Sequence, residues 1–87
     1  VTVDEGTTGI QINSTPASDG YVKVEVDDIG FELGSGVKTK DCYFSNDGGT
    51  TARAIGDIAA GDTLYWNAVI SGIDLAITDK ISLFYNT

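Results

Sequence analysis

The chain has no histidine and no methionine, one cysteine, one proline and only five basic residues in 87. Each scarcity closes off a class of function. Without histidine there is no imidazole to activate a hydroxyl or thiol nucleophile. The lone Cys42 cannot close an intrachain disulfide, so this is not a stapled small scaffold. In the run Cys-Tyr-Phe it is expected to behave as a small buried hydrophobe. The basic residues Lys23, Lys38, Lys40, Arg53 and Lys80 are scattered, whereas phosphate-backbone binding needs lysine and arginine gathered on one face. Nucleic acid and anionic membrane are therefore not expected partners. No apolar run approaches the ~20 residues that span a bilayer, and no signal-peptide pattern opens the chain. Methionine is missing even at position 1, which predicts a chain that is processed, renumbered or excised from a larger protein.

What is there in excess is acid and glycine. Thirteen acidic residues oppose the five basic ones, a formal charge of −8 whose chief effect is solubility. Eleven glycines fit a domain with many tight turns, and 41% apolar residues fit a globular chain rather than a disordered one. The length predicts a single β domain over 1–87, with 1–9 as an extended arm or first edge strand. A chain this short removes roughly 60–65% of its unfolded surface from water, so its core is thin.

Periodicity points to strands. Ile10 and Ile12 alternate with polar residues, and 13–20 is turn chemistry. Tyr21–Val26 sets three valines on one side and Lys23 and Glu25 on the other, a half-buried strand. Asp27-Asp28 predicts a turn into a second strand over Ile29–Leu33, giving a hairpin, and Gly34-Ser35-Gly36 breaks it. Asp41–Ser45 reads as a strand. Asn46-Asp47-Gly48-Gly49 then supplies residues that tolerate a hairpin turn, with Thr50–Ile55 as the expected partner strand. Ala52–Ala60 reads as strand followed by a short turn or single helical turn. Thr63–Trp66 is a strand that Ala68–Ile70 continues or restarts, Ser71–Asp74 turns, and Ile81, Leu83 and Tyr85 mark a final alternating strand. Six to eight short strands imply an all-β fold, a small antiparallel β-sandwich or barrel of jelly-roll or immunoglobulin size.

Candidate chemistry is sparse. Asp27-Asp28 and Asn46-Asp47 offer oxygen ligands, but the fixed alternation and closing glutamate of an EF-hand loop are missing, so no metal is expected. Paired carboxylates could serve a glycosidase only across a cleft, which a domain of this size rarely offers. No cofactor is implied, and the chain reads as a non-enzyme. The aromatics Tyr43-Phe44, Tyr65-Trp66 and Phe84-Tyr85 come as adjacent pairs, so each pair divides between the two faces of its strand. Trp66 and Phe44 are expected in the core. Tyr43, Tyr65 and Tyr85 are the candidate ligand-binding residues, left available for contact with glycan or protein.

Three blocks carry a family likeness: Tyr43-Phe44-Ser45 ahead of Asp47-Gly48-Gly49, the run from Ala60 to Asn67, and Ile81, Leu83 and Tyr85 following Asp79. With the strand–turn–strand unit Val24–Gly34 they cover roughly residues 20–86. In these the chain resembles modules of virion structural proteins of tailed bacteriophages. Ala68 departs from the pattern, standing where such modules often carry glycine. The resemblance implies a β-rich assembly module of the virion, decorating a capsid or forming a tail or fibre appendage. Its implied partners are copies of itself and other virion proteins. The alternative expectation is a carbohydrate-binding adhesin module built on Tyr65, neighbouring aromatics and turn aspartates.

Overall fold

A computed structural model of the chain describes residues 10–72 and 80–87. The expected arm 1–9 and most of the expected Ser71–Asp74 turn lie outside these residues. The regular structure is mostly β: β1 (Val22–Val26), β2 (Ile29–Phe31), β3 (Cys42–Ser45), β4 (Thr63–Trp66) and β5 (Ile81–Tyr85), with one short helix, α1 (Ala68–Ser71). They form two antiparallel sheets, one ordered β2-β1-β5 and the other pairing β3 with β4. The described residues thus hold five strands against the six to eight expected. No helix among them is long and apolar enough to cross a membrane.

The β1–β2 hairpin forms where the sequence places it. Val26 pairs with Ile29, leaving Asp27 and Asp28 as a two-residue turn with φ of 51° and 67°. Two consecutive left-handed residues match the right-handed twist of the flanking strands, and aspartate tolerates that conformation better than most side chains. Asp27 also ties the turn to β5: its amide donates to the Lys80 carbonyl at 2.8 Å and its Oδ1 accepts the Lys80 amide at 2.9 Å. In β1 the alternation holds. Val24 and Val26 are buried while Lys23 and Glu25 form an ion pair of 2.9 Å on the outer face.

The partner of β3 corrects one expectation. Thr50–Ile55 does not pair along it as a strand; Arg53 gives a single backbone bond to the Phe44 carbonyl, at 2.8 Å. The full ladder is made instead by β4, in the register Cys42 with Trp66, Tyr43 with Tyr65, Phe44 with Leu64 and Ser45 with Thr63. Burial explains the choice. β4 offers Leu64 and Trp66 to one face and Tyr65 to the other, whereas Ala52 and Arg53 have little apolar surface to bury. Within Ala52–Ala60 only the expected helical turn appears, a 3-10 turn at Ile55–Asp57. A second correction concerns Ala68–Ile70, which is helix, not strand. Asn67 caps it by accepting the Ile70 amide at 3.3 Å, and Gly72 ends it with φ of 78°.

The main core draws on both sheets. Val24 and Val26 of β1 meet Cys42, Phe44, Leu64 and Trp66 of the β3–β4 pair, with Ile12 and Ile58 from the loops. Phe31 meets Trp66 edge to face, with ring centroids 4.9 Å apart. The Ile10–Ile12 segment, expected as a strand, adds only a bridge between Gln11 and Thr63. Its backbone bonds run from the Leu64 amide to Ile10, from the Ile12 amide to Asp62 and from the Gly61 amide to Ile12.

Candidate functional site

The candidate tyrosines are placed by the two-sided burial of β3 and β4. Every residue of both strands is buried, because the core covers one face and the 46–52 loop covers the other. Strand alternation sends Phe44 and Trp66 to the core face and their neighbours Tyr43 and Tyr65 to the loop face. There Tyr43 and Tyr65, directly paired in register, stack with ring centroids 5.6 Å apart and planes 14° from parallel. Ala52 completes this second cluster.

The loop is held over the rings by Ser45 and Asp47. Ser45 Oγ donates to Asp47 Oδ1 at 2.7 Å and accepts the amides of Gly49 at 3.1 Å and Asp47 at 3.3 Å. Asp47 Oδ1 also accepts the Thr51 amide at 2.9 Å. These bonds favour the carboxylate, the Ser45 hydroxyl foremost, and bring the Asp47 carboxyl down to about 2. Asp47 is thus a turn former, as its setting in the sequence implies. Gly48 and Gly49 have φ of 76° and 89°, and the Tyr43 hydroxyl donates to the Gly49 carbonyl at 3.0 Å. Burial raises the Tyr43 phenol above its ordinary range, with smaller contributions from Tyr65 and the Asp47 charge.

This geometry corrects the expectation that Tyr43 and Tyr65 stay available for contact. They are only 7% and 3% exposed. Tyr85, the third candidate, lies apart from them on β5. It is half-buried against the core, and its hydroxyl bonds Asn13 Oδ1 at 2.9 Å. The structure brings two of the three together, as a packed stack rather than a binding surface.

One buried charge pair was not legible in the sequence. Asp62 is 3% exposed; its Oδ2 accepts Arg53 Nε at 3.1 Å and the Ala59 amide at 2.9 Å. The only sequence signal is Asp62 following Gly61, which reads as an ordinary turn. The pair joins the loop beside β3 to the entry of β4 and serves the fold. Cys42 is fully buried, and burial together with the Asp41 charge pushes its thiol up to about 12, so it is no nucleophile at neutral pH. Among the described residues no cluster of histidine, cysteine, aspartate and glutamate could hold a metal ion, and no buried side-chain polar atom lacks a hydrogen-bond partner.

The aromatics that do reach solvent are others: Tyr21 and Phe84, 47% and 44% exposed. Among apolar residues, Val69, Ile29, Ile70 and Val37 are exposed as well. No protein-family model, curated protein or solved structure matches this chain.

Proposed function

We propose that this chain is a non-enzymatic structural module of a virion, a capsid-decorating or tail-appendage domain that docks on copies of itself or on a larger particle. The observation that carries the docking half is the exposure of large aliphatic side chains: Val69 at 78%, Ile29 at 62% and Ile70 at 46%. A thin-cored domain gains little by leaving such residues in water, and association that favours the folded state adds to its stability. The virion assignment rests on the likeness of the Tyr43–Gly49, Ala60–Asn67 and Ile81–Tyr85 blocks to phage structural modules. The same reading takes the two sheets as the halves of a small sandwich. A core shared between them and the Phe31–Trp66 contact support this closure.

The test is sedimentation over a range of concentrations, together with addition of the chain to particles assembled without it. Concentration-dependent association or particle decoration, weakened by Val69→Asp, is expected. A chain that stays monomeric and leaves such particles bare would overturn the reading. The glycan-binding alternative loses its stacking residue Tyr65, which is buried, but the exposure of Tyr21 and Phe84 gives it a different footing.

A further inference from the structure

The outward face of the three-stranded sheet carries side chains that the core does not use. Lys23 and Glu25 point away from Val24 and Val26, and the same alternation puts Tyr21 on their side, just ahead of β1. The register sets Phe84 opposite Lys23 and Ser82 opposite Glu25 on one flank, with Gly30 opposite Glu25 on the other. Because Val22 pairs with Tyr85, Tyr21 falls diagonal to Phe84, within reach for aromatic cross-strand neighbours. These are the two exposed aromatic side chains among the described residues.

The lean of Lys23 keeps Phe84 open. Its Cε lies 3.8 Å from where a Cβ on Gly30 would stand, so the stem runs over the bare glycine of β2, and the ammonium pairs with Glu25. A lysine opposite an aromatic ring can lie across it; here it is drawn to the other side. At the far end, Asn86 Nδ2 donates to Asp19 Oδ2 at 2.8 Å, and Asp19 Oδ1 accepts the Tyr21 amide at 3.0 Å. A planar amide and a carboxylate are thus fixed at the rim beside Tyr21.

Size and charge decide what fits there. Two strands of five residues and one of three, ~4.8 Å apart at ~3.4 Å per residue, make a patch on the order of 200 Å². A stable protein interface needs about 800 Å² from each partner. A sugar ring fits within the patch, with an apolar face of C–H bonds to lie on aromatic rings and hydroxyls around its edge. We propose that Tyr21 and Phe84 form a shallow stacking platform for a neutral pyranose, whose hydroxyls bond Asp19, Asn86 and the Lys23–Glu25 pair. Two carboxylates against one ammonium disfavour an acidic sugar. This inference does not rest on the virion reading.

The test is titration of the isotope-labelled full chain with cellobiose, followed by its amide resonances. Shifts confined to Tyr21–Glu25 and Ser82–Asn86, saturating in the millimolar range, are expected. Tyr21→Ala and Phe84→Ala should each weaken binding by about tenfold while leaving the rest of the spectrum folded. Gly30→Val should also weaken it, by displacing Lys23 toward Phe84, and glucuronate should bind less than glucose. No shifts up to tens of millimolar would overturn the proposal, as would shifts centred elsewhere. A Phe84→Ala change that alters sedimentation, with cellobiose inert, would show that another copy covers this face. A monomeric chain that binds cellobiose would sustain the platform while counting against the docking reading.

Discussion

The ring of Tyr65 fills the space that a side chain on Gly49 would need. A Cβ there would stand 2.9 Å from Tyr65 Cε1, on a residue whose φ is 89°. Since Tyr65 is buried and stacked on Tyr43, it has nowhere to retreat. Gly49→Ala is therefore expected to cost about 2–3 kcal/mol, from left-handed strain plus overpacking. Gly48 has a similar φ of 76° but open space around it, so Gly48→Ala should cost only the strain, about 1 kcal/mol. Urea unfolding of the two variants side by side measures the difference; equal costs would mean that Tyr65 does not constrain the loop.

The Phe31–Trp66 contact sits where the two sheets meet. Trp66→Ala should remove about 3–5 kcal/mol, a large fraction of what a small domain has. The expected result is loss of a cooperative thermal transition. Phe31→Leu keeps most of the apolar volume and should cost about 1 kcal/mol, lowering Tm by roughly 4–8 °C. A Trp66→Ala chain that still melts cooperatively near the parent Tm would show that the sheets do not depend on this ring.

Asp47 makes the fold sensitive to acid. Its folded carboxyl titrates at about 2, below the ordinary value of 3.8, because Ser45 and then Thr51 donate to it. Its contribution is present above the unfolded value and is lost as pH falls from about 4 toward 2. Between pH 5 and pH 2 the parent should lose more stability than Asp47→Asn, so the two unfolding curves converge in acid. Curves that stay parallel would mean that Asp47 is not bonded in this way.

The Arg53–Asp62 pair lends itself to a double-mutant cycle. Arg53 is the better-solvated partner, with its side chain 29% exposed against 5% for Asp62. Arg53→Met strands a buried carboxylate and should cost about 2 kcal/mol at neutral pH. Adding Asp62→Asn removes that charge and should recover part of the loss. Additive costs for the two changes would show that the pair does not interact.

Cys42 should be silent toward thiol reagents in the folded chain. Both its burial and its raised titration point protect it. Reaction with an aromatic disulfide reagent at pH 8 is expected to run ~10³-fold or more slower than in urea, since only the unfolded fraction exposes the thiol. Comparable rates would mean that the core opens readily at β3.

The local elements were legible because their causes are local. The alternation of Val22, Val24 and Val26 and the Asp27-Asp28 turn define the first hairpin, and Ile81, Leu83 and Tyr85 define β5. Asn67 and Gly72 also carried a readable helix start and stop, obscured by the apolar run Ala68–Ile70 that reads equally well as strand. The pairing of β3 was another matter. An Asn-Asp-Gly-Gly sequence is good hairpin chemistry, but Ser45 and Asp47 fold it back over the sheet instead of turning it into a strand.

Alternation along each strand sets which side chains share a face, since successive strand residues must point opposite ways. It therefore separated Phe44 from Tyr43 and Trp66 from Tyr65. Whether each face is covered depends on contacts between residues distant in sequence, which local patterning does not specify. The 46–52 loop buries Tyr43 and Tyr65, while among the described residues Tyr21 and Phe84 stay exposed. Among the described residues the exposed aromatics are thus Tyr21 and Phe84, not the stacked Tyr43 and Tyr65.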